Sequence, residues 1–346
     1  MRIGLSINYA GGFKETAAEV ADLERAGLDI AFVPEAYSFD AVSALGYLAA
    51  KTDRLHLASG ILQLYTRTPT LTAMTAAGLD NVSDGRFILG LGASGPQVVE
   101  GFHGVPYDAP IGRTRELVEI CRAVWRRERL EYQGKYYRIP LPADQGTGLG
   151  KPLKLINHPV RERIPVVLAA LGQKNVALAA EIAEGWQPFL FLPERADQVW
   201  GQSLAVGRAA RDAALGELQV YAGPALAIGD NVEALRDQVK PQLALYIGGM
   251  GAKGKNFYHA LATSYGYGPE ADRIQELYLA GEKDVAASAV PDDLVRDISL
   301  IGSPAFVAER IGVFRAAGVN VLNVKPIGTT SSAERIVQIE KLRALI

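Results

Sequence analysis

The sequence predicts an α/β protein built as a (β/α)8 barrel with insertions, and three observations carry that prediction. Short apolar runs alternate with longer amphipathic stretches along nearly the whole chain, the pattern of parallel strands joined by crossover helices. One run, Phe87-Ile88-Leu89-Gly90-Leu91, is apolar at every position, as a strand covered on both faces must be. The runs number about eight, which is the count that closes a barrel. An open doubly wound sheet shares the alternation but calls for Gly-x-Gly-x-x-Gly after its first strand. The residues there, Asn8-Tyr9-Ala10-Gly11-Gly12-Phe13, lack that spacing.

Taken in order, Ile3–Asn8 reads as a strand and Lys14–Ala26 as its helix. The pairs continue with Leu28–Pro34 and Asp40–Lys51, Leu55–Ile61 and Thr70–Val82, and Arg86–Gly92 and Arg113–Trp125. Pro165–Ala170 is the fifth strand, with a helix over Asn175–Glu184. A short sixth strand lies near Gly185–Phe189, with a helix over Arg195–Ala214. Val220–Ala227 is the seventh strand. Pro304–Ala317 is a helix that precedes the eighth, Val319–Val324, and Ala333–Leu345 seals the ring. A single domain over residues 1–346 is expected, with insertions near 128–163 and 250–270. The first holds a hairpin pattern turning at Gln133-Gly134. The second is rich in Gly, Tyr and Lys; both fall where a barrel places loops, and they either form lids or only cover the barrel or build a subunit contact.

Composition narrows the function. The 346 residues are 49% hydrophobic, and 36 basic against 38 acidic residues leave a net charge of −2. Nothing in that balance asks for a nucleic-acid or membrane-surface partner. One cysteine, Cys121, makes neither an internal disulfide nor a thiolate metal site, which points to a reducing, cytoplasmic setting. No signal-peptide pattern opens the chain and no apolar run is long enough for a bilayer. His56, His103, His158 and His259 show no ligand spacing, so no metal is expected. His56 falls inside a strand and reads as a core histidine.

In a barrel the chemistry lies at the carboxyl ends of the strands. The residues there are Tyr9, then Glu35-Ala36-Tyr37, Gly60-Ile61 followed by Gln63 and Tyr65, Ala93-Ser94, Ala170-Leu171-Gly172-Gln173-Lys174, and Trp186-Gln187. The turn before the helix at Asn175 offers free N–H groups and a lysine, so it suits a phosphate; an ordinary βα turn has the same look. Glu35 is either a hydrogen-bond partner or acid/base at the mouth, or a helix-capping or salt-bridged carboxylate. His103, on the loop Gly101-Phe102-His103-Gly104, is a second proton-donor candidate. There is no nucleophile elbow and no phosphate-binding P-loop.

Several segments together resemble the luciferase-like monooxygenase superfamily, and within it the coenzyme F420-dependent oxidoreductases. They are Thr68-Pro69-Thr70 with Met74 and Leu79, Asp84-Gly85-Arg86-Phe87-Ile88-Leu89-Gly90-Leu91-Gly92, Arg113-Thr114-Arg115-Glu116, and Ile164 to Ala170 with Gly172, Lys174 and Gly185-Trp186. The resemblance implies a luciferase-like barrel, a homodimer, and a deazaflavin or flavin ring across the mouth. It implies Glu35 and Ala36 beside the ring, a cis peptide at Gly60-Ile61 behind it, and Ala93 and Ser94 at its polar edge. Ala170 to Lys174 would hold the phosphate, with Trp186 near the cofactor. Where many members carry a histidine after the second-strand acid, this chain has Ala36, so Tyr9, Tyr37 or His103 would share the proton-donor role with Glu35. Lys151, Lys154, Arg161 and Arg163 would meet an anionic polyglutamate tail or else form a solvated run. Coenzyme F420 is the expected cofactor, with FMN the alternative. The activity implied is hydride transfer to a small organic substrate. An FMN monooxygenase and a cofactor carrier without turnover are the other readings.

Overall fold

Eight parallel strands close a ring in the computed structural model, which describes residues 1–7, 12–251 and 253–346. The strands are β1 (Arg2–Ser6), β2 (Ile30–Val33), β3 (His56–Ser59), β4 (Phe87–Gly92), β5 (Val166–Ala169), β6 (Gly185–Gln187), β7 (Gln219–Ala222) and β8 (Val319–Pro326). Each pairs with its neighbour, and β8 returns to β1 with Arg2 opposite Val321 and Leu5 opposite Val324, so no edge is left open. All eight runs expected from sequence therefore enter the barrel.

The helices that flank them begin where the sequence offers caps. Asp40 accepts from Ser43 N–H at the start of α2 (Ala41–Ala49), which follows α1 (Phe13–Arg25). Thr68 caps α3 (Pro69–Val82), with Pro69 in the first turn where its missing N–H costs nothing. The ring continues through α4 (Pro110–Trp125), α5 (Gln173–Ile182) and α6 (Pro193–Ala209) to α7 (Pro304–Ala316), capped by Ser303, and α8 (Ser332–Leu345).

Two apolar cores result. The larger lies between sheet and helices. The smaller fills the barrel: Ile30 and Phe32 of β2, Ala58, Ile88, Val167, Tyr221 and Val321. Phe32 and Tyr221 meet edge-to-face at 6.0 Å. Gly4 and Gly185 make room for them: a Cβ would lie 2.7 Å from Phe32 at the first and 2.5 Å from Tyr221 at the second. Because side chains alternate along a strand, the barrel-facing set continues toward the carboxyl rim through Gly90 and Gly92, Ala169, Gln187 and Asn323.

Four expectations need correction. The run Val220–Ala227 is not one strand: it breaks at Gly223-Pro224. Its second half, Ala225–Ile228, pairs with the end of β8 (Ala225 opposite Lys325) and with Leu300–Gly302. The helix expected over Arg195–Ala214 stops at Ala209, because a short 3-10 turn over Ala213–Leu215 follows. The segment near 250–270 is helical, with Phe257–Ser264 and Gly268–Leu279 inside a helical stretch that runs from 233 to 297. Its glycines and tyrosines masked that periodicity. The hairpin pairs Tyr132–Gln133 with Arg138–Ile139, and its turn Gly134–Tyr137 is centred on Lys135-Tyr136, two residues past the Gln133-Gly134 expectation. Glu116 of α4 explains the shift: its carboxylate accepts from the N–H groups of Lys135, Tyr136 and Tyr137.

Candidate active site

The strand ends bring the expected residues to one rim. Behind β3 the Gly60–Ile61 peptide bond is cis, as the resemblance implied. The chain then rejoins the sheet, with Leu62 opposite Leu91 and Gln63 opposite Gly92. Ile61 packs toward Gly92, whose Cβ position would lie 3.1 Å from the Ile61 Cδ1. Farther in, Gly90 is obligatory: a Cβ there would stand 1.8 Å from the Ser59 carbonyl oxygen. Ser59 Oγ holds the same contact shut, donating to Gly90 O and accepting from Gly90 N–H, both at 2.8 Å. The result is a floor of small residues, Gly60, Gly92 and Ala169, on three neighbouring strands. Ala93 follows, and Ser94 sits in the left-handed region at φ 59° just before the turn Gly95-Pro96.

Buried amides border this floor. Gln63 is only 2% exposed, and neither its Nε2 nor its Oε1 has a hydrogen-bond partner among the described residues. The Oε1 of Gln187 and the Oδ1 of Asn323 are buried and unpartnered too. Register places Gly92 opposite Gln63 and Ala169 opposite Gln187, so these side chains share the barrel-facing side. Gln63 and Gln187 were noted at strand ends without a role. Asn323 was missed, although a polar residue on the inward phase of the apolar run Val319–Val324 was the signal for it.

Glu35 occupies a different place from a free acid. Arg67 donates to both its oxygens, at 2.6 and 2.9 Å, and the Ala41 N–H donates to Oε2 at 2.9 Å. The two side chains are 9% and 14% exposed. The salt-bridged alternative is the one observed, and the general-acid role expected of Glu35 is corrected: both oxygens are engaged. Arg67, unassigned from sequence, is the residue that decides this. Asp40, whose carboxyl group caps the same helix, is held below the ordinary carboxylate range: burial opposes the shift, and the Ser43 bonds and Arg67 outweigh it.

Tyr37 is 67% exposed and half-buried Ala36 lies beside it. The Tyr37 ring lies 6.1 Å from Phe102, which meets His103 edge-on at 5.1 Å, so the loops after β2 and β4 touch. His103 Nε2 is buried with no partner among the described residues. Tyr9 lies outside the described residues.

The turn after β5 divides in two. Gly172 is the cap residue of α5 with no side-chain acceptor over the first N–H groups, nothing stands within 4 Å of its Cβ position, and Lys174 is exposed. That half is open to an anion. The other half is tied from behind. Trp186 donates to Ala170 O and Trp200 to Leu171 O, each at 2.9 Å, while the Gln173 side chain is engaged by Val199 O and Ser203. Trp186 is 1% exposed in the outer core, since its neighbour Gln187 faces the barrel. The cofactor contact expected of Trp186 is therefore corrected, while the bonds to Ala170 O, Leu171 O and the Gln173 side chain brace the turn from behind.

Three of the four basic residues, Lys154, Arg161 and Arg163, are also misplaced for a tail. Arg161 pairs with the fully buried Asp80 and Phe87 O, and Arg163 pairs with Glu184, which also accepts from Val166 N–H. These contacts sit where β4 and β5 begin, on the amino rim. Lys154 belongs to the same side, because Leu153 O accepts from Leu130 just past the end of α4. Among the described residues there is no group of His, Cys, Asp or Glu able to hold a metal, and no helix long and apolar enough to cross a membrane.

The closed parallel barrel carries its small-residue floor and the open Gly172 turn on one carboxyl rim, where barrel enzymes keep their active sites. The family model described as luciferase-like monooxygenase matches residues 1–320, and the chain belongs to that family. A Mycobacterium tuberculosis protein, Rv3520c, provisionally named a coenzyme F420-dependent oxidoreductase, is 42% identical over 100% of this chain and 99% of its own. The 5,10-methylenetetrahydromethanopterin reductase of Archaeoglobus fulgidus is 26% identical, over 95% of this chain and 94% of its own. Among solved structures, the coenzyme F420-dependent tetrahydromethanopterin reductase from Methanopyrus kandleri superposes with a TM-score of 0.80 at 21% identity. It covers 98% of this chain and 97% of that one, a likeness of fold.

Proposed function

We propose that this protein is a coenzyme F420-dependent oxidoreductase that passes a hydride between the reduced deazaflavin and a small organic substrate. The observation that carries the reading is the pairing, on one rim, of the small-residue floor bordered by unpartnered amides with the open Gly172 turn. A flat ring bearing carbonyl groups fits the first and a phosphate fits the second. The name of the relative sharing 42% of its sequence favours F420 over FMN.

In this reading Gly60, Ile61, Ala93 and Ser94 seat the ring, with Glu35 and Ala36 at its flank. The backbone N–H groups at Gly172 to Lys174 and the Lys174 ammonium hold the phosphate. Bound reduced F420 supplies the hydride; the chain supplies position and a proton. Glu35 keeps Arg67 and the start of α2 in register beside the ring. The proton comes from Tyr37 or His103, whose loops meet over the mouth. We further propose a cytoplasmic homodimer. The exposed Leu71, Met74 and Val82 line one face of α3, an apolar stripe suited to a second copy.

The test is a fluorescence titration of the purified chain with F420 and with FMN, followed by candidate carbonyl or unsaturated acceptors under nitrogen. F420 binding with acceptor-dependent oxidation of the reduced cofactor supports the proposal. FMN binding with oxygen consumption moves the chain to the monooxygenases, and tight F420 binding without turnover makes it a carrier.

A further inference from the structure

We infer that Gln63 reads the carbonyl–imide edge of the bound ring, a specificity contact that rests on the cofactor reading above. A buried amide with both its donor and its acceptor unpaired is rare in a folded interior. Gln63 is such an amide, 2% exposed, with Nε2 and Oε1 both lacking a partner among the described residues. Its place is set by register rather than by a loop: the short strand Leu62–Gln63 holds it opposite Gly92, and Ile61 on the cis bend forms the adjoining wall. Among the described residues, the barrel-facing positions on the next two strands are Gly92 and then Ala169, neither of which offers a polar side chain to the amide.

The chemistry of the missing partner follows from the amide. A carboxamide offers one donor and one acceptor side by side, and its complement presents an acceptor beside a donor in the same plane. The pyrimidinedione edge of a deazaflavin does this with a ring carbonyl and the N3–H, and a flavin has the same edge. Two strand steps, about 10 Å, separate Gln63 from the strand that ends in the Gly172 turn. A ring with a five-carbon polyol and a phosphate spans that interval. Gln187, one strand past that turn, faces its unpartnered Oε1 to the same side of the barrel.

The test uses the full chain and the variants Gln63→Leu and Gln63→Glu, with dissociation constants for F420 and FMN read by fluorescence. Thermal melts of the ligand-free proteins run beside them. Leucine removes both polar atoms at similar volume, so the ligand-free melt should hold or rise while ring affinity falls about tenfold or more. Glutamate, which loses the donor, should weaken binding at least as much. A deazaflavin methylated at N3 should bind the wild type and Gln63→Leu alike, since its edge no longer matches. A lower ligand-free melt with unchanged ring affinity makes the amide structural and overturns the inference. Wild-type protein that binds neither ring overturns the cofactor reading, and this inference with it; wild type and Gln63→Leu binding alike overturns the inference alone.

Discussion

Arg67 and Glu35 form a two-point ion pair at 2.6 and 2.9 Å between the loop after β3 and the end of β2. With 14% and 9% of these side chains exposed, neither charge is well hydrated. Removing one partner strands the other, and buried pairs broken that way cost about 3–5 kcal/mol. Arg67→Met should therefore lose stability in that range by urea titration. The double variant Glu35→Gln/Arg67→Met should recover part of the loss. A double variant no more stable than Arg67→Met would show that the pair is not the source of the cost.

The contact between Ser59 and Gly90 makes a sharper case. A methyl group at 90 meets a backbone oxygen that cannot move without opening β3 from β4, so Gly90→Ala should cost more than the usual ~1–3 kcal/mol of overpacking and yield little soluble protein. Ser59→Ala leaves the buried Gly90 N–H without its acceptor and should cost about 1–3 kcal/mol. Soluble yield and denaturant midpoints check both.

Lys174 and the lysines before β5 separate the two anion sites considered from sequence. Lys174→Ala should weaken F420 about two- to fivefold, the scale of an exposed charge near a helix start, and should leave the dephosphorylated ring unaffected. Lys154→Ala, on the opposite rim, should leave F420 affinity unchanged at every tail length. A loss on Lys154→Ala that grows with tail length would restore the tail site there.

His56 is held below its ordinary value of 6.5, first by burial and then by Arg2, Arg161 and Arg86. The folded form thus takes up its proton at lower pH than the unfolded chain does. Its neutral form contributes stability that is present above about pH 6.5, and that contribution is lost as pH falls through the folded value. His56→Gln should flatten the fall in melting temperature on acidification. An unchanged slope would assign that fall to other groups.

Ser94 pays the usual penalty of a side chain in the left-handed region, on the order of 1 kcal/mol. Ser94→Gly should raise the melting temperature slightly and weaken ring binding by freeing the turn. Melting curves and cofactor titration on one preparation read both effects.

The barrel was legible because burial on both faces leaves a plain mark: Ile30–Val33, Phe87–Leu91 and Val166–Ala169 are unbroken apolar runs, and helix caps such as Asp40 and Ser303 punctuate the chain between strands. The helical stretch around Tyr258 and Ile274 was not, since its glycines and tyrosines interrupt the helical period. The rim residues were found by position alone, which is why their roles needed partners to settle. Glu35 could not be assigned without Arg67, thirty-two positions away. Trp186 and Gln187 are adjacent yet face opposite sides, a matter of strand phase. Gln63 looked ordinary because an unsatisfied amide is a property of surroundings that sequence does not list side by side.

The eighth strand divides its labour along its length. Residues Val319 to Leu322 meet β7, and Arg2 to Leu5 meet Val321 to Val324, so ring closure depends on its first six positions. Lys325 and Pro326, with Ile327 donating to Leu226 O, hold Ala225–Ile228 and, through it, one end of the helices of residues 233–297. Those helices take a second hold just past β6, where Tyr265 donates to Leu190 O and accepts from Leu192 N–H, and Tyr258 packs on Phe189. An exchange of that stretch for one of another length must keep both holds if the ring is to stay undisturbed.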